Sequence, residues 1–138
     1  MDIRSCIEKG FLKKIAPDSQ LSVKEMAESQ YDLVQAQKTF NDGDFKWSIV
    51  KSYYSMFHAA KAVLYSLGYA EKKHIAIAVV LEELNKKGKL ELKYTIDFKA
   101  ALSAREEADY HYAYGKESAE YSIVIAKAFG KKMKEMIL

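Results

Sequence analysis

Asp44-Phe45-Lys46-Trp47-Ser48-Ile49-Val50-Lys51-Ser52-Tyr53-Tyr54-Ser55-Met56-Phe57-His58-Ala59-Ala60-Lys61-Ala62-Val63-Leu64-Tyr65-Ser66-Leu67-Gly68 is the least polar long segment of the chain. Asp44 can accept from the amides of a first helical turn, and Gly68 supplies a left-handed stop, so the stretch is bounded as one helix. Ile49, Tyr53, Met56, Phe57, Ala60, Val63, Leu64 and Leu67 follow one another at helical spacing. Ser52, Ser55, Ala59, Ala60 and Ala62 are small, which lets neighbouring helices approach closely on more than one side. This segment is expected to be the central helix.

Upstream, a short helix over about Asp2 to Ile15 is expected to stop at Ala16-Pro17-Asp18, because Pro17 disfavours helical geometry in the residue before it. Ser22-Val23-Lys24-Glu25 reads as a capping box. The helix it opens places Val23, Met26, Ala27, Gln30, Leu33, Val34 and Gln37 on one face and ends at the turn Asn41-Asp42-Gly43. Downstream, helices are expected over about Ile75 to Lys86, Lys93 to Tyr110 and Glu117 to Ile137. The last shows Tyr121, Val124, Ile125, Ala128 and Met136 and is interrupted by Gly130. No run alternates with a period of two, which argues against strands. Short connections make consecutive helices antiparallel neighbours. The expected architecture is all-α, an antiparallel up-and-down bundle of about five to six helices in one domain over residues 1–138. Residues 1–20 form a peripheral N-terminal helix, and the bundle core covers about 22–137.

Composition is that of an ordinary globular protein, 49% hydrophobic and 30% charged. The net charge of +3 tolerates an acidic partner such as RNA or a nucleotide without requiring one. Cys6 is the sole cysteine, so no intrachain disulfide forms, and a cytoplasmic location is expected. Nothing resembles a signal peptide or a transmembrane run, so no membrane association is expected. Three histidines without a His-x-x-x-His spacing or a cysteine pair make a metal site unexpected, and no phosphate loop or dinucleotide turn calls for a cofactor.

Arg105 is one of only two arginines, the other being Arg4. It falls on an apolar stripe, Tyr94, Phe98, Ala101, Leu102, Arg105, Ala108 and Asp109, where an unpaired charge is costly. Asp109, one turn on, is its local partner. His111 adds a group that titrates near neutral pH. Guanidinium and imidazole together suit phosphate chemistry: Arg105 to stabilise charge, His111 as acid or base, Asp109 to orient. Equally, Arg105–Asp109 is a structural tie with His111 at a fraying end. Six residues place His111 about 120° around a continuous helix from Arg105, so the two converge only if the helix ends near Tyr110 or a second subunit contributes the histidine.

A second row, Lys51, Tyr54, His58, Lys61 and Tyr65, aligns cations, phenols and an imidazole along the central helix and can hold a nucleotide by stacking and phosphate contact. The same row also reads as a helix edge with buried rings and snorkelling lysines. His74, after Lys72-Lys73, reads as a solvated helix start, and Lys131-Lys132 with Lys134 as a solvated face.

The block Ser52-Tyr53-Tyr54-Ser55-Met56-Phe57-His58-Ala59-Ala60-Lys61-Ala62-Val63-Leu64, then Gly68, Lys72-Lys73-His74 and Arg105-Glu106-Glu107-Ala108-Asp109-Tyr110, resembles the HEPN domain superfamily, in its small single-domain prokaryotic branch. The resemblance runs from about Met26 to the C-terminus. It implies a helical bundle that forms a homodimer and works beside a minimal nucleotidyltransferase in a toxin–antitoxin-like pairing. It also implies either a metal-independent ribonuclease using Arg105 and His111, or a non-catalytic nucleotide-binding or interaction module. Where active toxin members continue His-x-Tyr, with the tyrosine a target of nucleotide transfer, this chain has Ala113 between Tyr112 and Tyr114.

Overall fold

A computed structural model describes residues 1–137. Six helices are present among the described residues: α1 (Ile3–Glu8), α2 (Ser19–Asn41), α3 (Phe45–Leu67), α4 (His74–Lys86), α5 (Leu92–Tyr110) and α6 (Lys116–Ile137). Two short strands, β1 (Leu12–Lys14) and β2 (Tyr69–Glu71), pair antiparallel. The protein is an all-α bundle with this small sheet at one end. Among the described residues no helix is long and apolar enough to cross a membrane.

Helix α3 is central, packing against α2, α5 and α6. Asp44 accepts from the Trp47 amide at its start, and Gly68 closes it in the left-handed conformation. Tyr53, Met56, Ala59, Ala60 and Ala62 are fully enclosed. The contact with α2 is made through small residues and hydroxyls. Ser22 Oγ donates to the Ala62 carbonyl at 2.7 Å and Ser48 Oγ to the Ala36 carbonyl at 3.0 Å. Ser29 and Ser55 exchange bonds, each Oγ donating to the other's carbonyl, at 2.7 and 2.8 Å. A serine hydroxyl buried against a helix carbonyl satisfies its own donor while holding two backbones close.

Several sequence expectations are corrected. The first helix stops at Glu8 rather than near Ile15, because Gly10 turns the chain at φ 76° and the Phe11 amide bonds back to Cys6. The residues beyond it form β1, a strand too short to show a period. Cys6 and Leu12 lie in the main core. Ser22 and Glu25 do not form a capping box. Asp18 caps α2 instead, accepting from the Leu21 amide at 3.0 Å, which leaves Ser22 one turn inside the helix. Gly130 does not interrupt α6.

The apolar stripes expected on α2 and α6 hold in part, Met26, Leu33, Ile125 and Met136 packing in or on the core, but the buried faces are rotated away from the rest. Val23 and Val34 on α2 and Tyr121 and Val124 on α6 are exposed, while Ser22, Met26, Ser29 and Ala36, and Ser122, Ile123, Ile125, Ala126, Phe129 and Met133, face inward. Close helix approach favours small side chains, so serine and alanine fill positions where periodicity reads only bulk hydrophobicity. On α5 the stripe holds: Phe98, Ala101 and Ala108 are buried.

Gly68 joins the end of α3 to the sheet, its carbonyl accepting from the Ile15 amide at 2.9 Å. Its φ is 91°, and a Cβ there meets the Ile15 carbonyl oxygen at 2.8 Å and Pro17 Cδ at 3.4 Å. Gly88 has φ 70° with open space around it. Gly68→Ala should therefore lose about 2–4 kcal/mol of unfolding free energy and Gly88→Ala only about 1. Urea denaturation of the two variants side by side checks the difference.

Candidate functional site

Helix α5 sets Arg105 opposite the aromatic side of α3. Its guanidinium Nη2 donates to Tyr54 Oη at 3.2 Å. Its carbon centre lies 5.8, 5.5 and 5.8 Å from the ring centroids of Tyr53, Tyr54 and Tyr110. Asp109 Oδ2 stands 3.1 Å from Nε, the two side chains being 20 and 19% exposed. Nε is buried, and its hydrogen is not aligned on any acceptor, so Asp109 neutralises Arg105 side-on rather than through a directed bond. A guanidinium carries five donors. Here the described protein groups engage them incompletely.

Arg105 forms part of the wall of an open cleft of about 640 Å³ between α3, α4 and α5, with Tyr54, His74, Ile75, Phe98 and Leu102 around it. Lys99 and Glu106 stand at the rim, Lys99 paired with Glu82 at 2.7 Å. The start of α4 faces this cleft, and no side chain caps it. Lys73 occupies the cap position, where a serine or threonine would accept from the first-turn amides.

His74 is not a solvated helix start. Its Nδ1 lies 2.6 Å from Tyr53 Oη, and its ring packs at 4.5 Å on Phe57 and 5.8 Å on Tyr53. Burial lowers its pKa below 6.5. Glu71 opposes that shift, while Arg105 and Lys61 add to it. Burial holds the Tyr53 hydroxyl well above its ordinary 10.0, Arg105 offsetting only part of the rise. Periodicity could place Tyr53 on the buried face, but not show that its hydroxyl reaches a histidine 21 residues on.

The structure separates the remaining candidates. His111 lies just beyond the end of α5, its Nδ1 3.1 Å from Glu107 Oε1 on the same helix, both side chains more than half exposed. The chain leaves the helix there through Tyr112, which has a positive φ of 55°. Although α5 ends at Tyr110, His111 is not among the cleft-lining residues. Of the row on α3, Tyr54 reaches the cleft, while His58 and Lys61 belong to a charge network. His58 Nδ1 is 2.6 Å from Glu25 Oε2 and Nε2 3.6 Å from Asp32 Oδ2. Lys61 Nζ lies 3.4 Å from Glu25 and 3.3 Å from Glu71. Lys51 is half-buried, outside the cleft lining, and Tyr65 faces the Lys61 ammonium at 5.8 Å. Lys132, expected on a solvated face, is mostly covered and pairs with Glu91 at 3.0 Å. Among the described residues no group of three or more His, Cys, Asp or Glu could hold a metal ion.

The HEPN domain family model matches residues 23–136. The chain belongs to the HEPN family. A UPF0332 protein of Archaeoglobus fulgidus is 34% identical over 96 residues, covering 69% of this chain and 76% of that relative. The HEPN match spans α2 to α6 apart from their outer ends, and it includes Arg105, Asp109, His74 and Tyr53.

Glu25 yields a pH prediction. Burial pushes its carboxyl up, but the hydrogen bond from His58 and the charge of Lys61 outweigh that and hold it below 4.5. A depressed folded-state pKa contributes stability that is complete above the unfolded value and is lost as pH falls through the folded one. Glu25→Gln should cost about 1–2 kcal/mol at neutral pH, from the loss of charged hydrogen bonds. The gap from wild type should close as the pH is taken down through the range below 4.5, as measured by denaturant titration.

Proposed function

We propose that this HEPN-family chain is a helical module that engages RNA or a nucleotide through its Arg105 cleft. In this reading it acts as a single domain and homodimer in the cytoplasm, beside a minimal nucleotidyltransferase in a toxin–antitoxin-like pairing. The observation that carries the binding role is Arg105 itself: half-buried, stacked among tyrosines, side-on to Asp109, and with donors left for an oxyanion at the wall of an apolar cleft. Aromatic and aliphatic walls suit a base, and a forked cation suits a phosphate. The exposed apolar residues of α2 and α6 offer area for protein contacts that leaves the cleft open.

Between a ribonuclease and a non-catalytic binding module, the position of His111 favours the second. Cleavage of RNA at the 2′-hydroxyl requires a proton acceptor within hydrogen-bond reach of the reacting oxygen. His111 points to Glu107 on its own helix and is outside the cleft lining. Catalysis by Arg105 with His111 therefore needs the histidine of a second copy.

Arg105→Gln should weaken binding of ATP or of a short oligoribonucleotide by about tenfold or more, the scale of one charged hydrogen-bond set. Isothermal titration calorimetry checks this, and wild type failing to bind either ligand would remove the reading. Incubated with RNA in EDTA, the purified protein should leave the RNA intact. Cleavage that disappears in His111→Ala would establish the ribonuclease instead.

A further inference from the structure

Two residues of the cleft wall, His74 and Arg105, contact the enclosed Tyr53 behind it: His74 Nδ1 meets its hydroxyl, and the Arg105 guanidinium lies over its ring. Tyr53 is fully buried, and among the described residues its hydroxyl has one hydrogen-bonding partner, His74 Nδ1 at 2.6 Å. A buried hydroxyl left without an acceptor loses the desolvation cost of its proton, about 1–3 kcal/mol. The Tyr53 proton is therefore directed at Nδ1, which must present its lone pair. An imidazole that accepts at Nδ1 carries its own proton on Nε2. Nδ1 is turned inward to Tyr53, whereas Nε2 of this cleft-lining histidine has no hydrogen-bond partner among the described residues and is not enclosed.

We propose that His74 is a fixed, uncharged hydrogen-bond donor in this cleft, presenting Nε2–H beside the Arg105 guanidinium to the oxygens of a phosphate group. This assignment rests on the reading of the cleft as a phosphate site and names the second residue of that site. It makes His74 a binding residue and Tyr53 a positioning residue. It excludes His74 as a general base, since Nε2 already holds its proton.

The groups around the ring agree with an uncharged state. Tyr53 and Lys61 face it from α3, Glu71 from β2 and Arg105 from α5, and only Glu71 favours the imidazolium; burial acts against it. An imidazolium would also set an N–H against the Tyr53 hydroxyl, whose proton would then lack an acceptor. The uncharged donor therefore persists to lower pH than in an ordinary histidine.

The test uses the full chain with three probes: inorganic phosphate, ATP and a ribo-oligouridylate. Nitrogen-15 spectra of labelled histidine should show His74 with a protonated Nε2 and a bare Nδ1 from about pH 6 to 8. An Nδ1–H tautomer, or titration within that range, would overturn the assignment. His74→Ala and His74→Asn should each weaken binding about tenfold. His74→Gln, whose amide reaches the Nε2 position, should stay within about threefold of wild type.

Oligouridylate serves for the pH series, because phosphodiesters do not titrate there whereas terminal phosphates do, near 6. Wild-type affinity for it should be flat. In Tyr53→Phe, which frees Nδ1, affinity should tighten as pH falls. Wild-type affinity that itself tightens on acidification would overturn the proposal. Comparing ATP with oligouridylate tells a terminal phosphate from a backbone phosphodiester. Binding of none of the probes by wild type overturns the cleft reading and this assignment together. Normal binding by His74→Ala, with Arg105→Gln impaired, overturns the role of His74 alone. Circular dichroism melts confirm that each variant is folded.

Discussion

The close approach of α2 and α3 is the constraint on which the rest of the structure depends. Four serine hydroxyls, Ser22, Ser29, Ser48 and Ser55, are spent on carbonyls of the facing helix, and alanines occupy much of the remaining contact. A helix packed this tightly on its small-residue side must place its bulk elsewhere. On α3 the bulk is Tyr53, Tyr54 and Phe57, which reach toward α4 and α5 and form an aromatic array with His74 and Phe98. The cleft is thus a consequence of the core. The side of α3 opposite its serines carries the rings that receive Arg105.

Two charge systems face α3, and they differ in completeness. On one side Glu25 and Glu71 bracket Lys61, and Glu25 and Asp32 bracket the His58 ring, so the ammonium and the imidazole each have two carboxylates at hand. Burial raises the Asp32 carboxyl, whereas Glu25, hydrogen-bonded to His58 and beside the Lys61 ammonium, is held low. Such a network satisfies itself and ties α2 and β2 to α3. On the other side Arg105 has one carboxylate, side-on, and three ring faces. Ring faces attract a cation without using its N–H donors. That distinction, rather than charge alone, separates a structural cluster from a site with capacity for a ligand.

What could be read from the sequence follows from which signals are local. Helices α3, α4 and α5 were legible to within a residue or so at their ends, because Asp44, Gly68, Lys87-Gly88 and the apolar spacing act within a few residues. Arg105 was legible because a rare charge on an apolar stripe needs only one helix to be noticed, and its contact with Asp109 is one turn long. The strand at Leu12–Lys14 was not, since three residues carry no period. Helix α2 begins earlier than the capping box suggests because Asp18 caps the Leu21 amide, one turn before the Glu25 amide that Ser22 would take. The burial of His74 is hidden for a different reason: Lys72 and Lys73 before it suggest solvent, while the groups enclosing it come from α3, β2 and α5. Histidine carries no hydrophobic signal that would announce such burial.

The misassigned faces of α2 and α6 are informative in their own right. Val23, Ala27, Gln30, Val34 and Gln37 recur at helical spacing, as do Tyr121, Val124 and Ala128, yet the fold turns much of both sets outward. On α2 the buried face is mostly serine and alanine, on α6 it also holds Ile123, Ile125, Phe129 and Met133, and Val23, Val34, Tyr121 and Val124 are left outside. Scattered exposed valines are ordinary, but recurrence at helical spacing on two helices that pack against each other is a patterned surface. Lys127, Lys131 and Lys134 recur beside it on α6, and none of them forms an ion pair among the described residues. Neither α2 nor α6 lines the Arg105 cleft, which is built from α3, α4 and α5. In the proposed reading, ligand contact and protein contact fall on different helices of one small bundle. Because α3 packs against both groups of helices, its register couples them: a change that shifts α3 moves Tyr53 and Tyr54 under Arg105 and displaces the serine contacts with α2 at the same time.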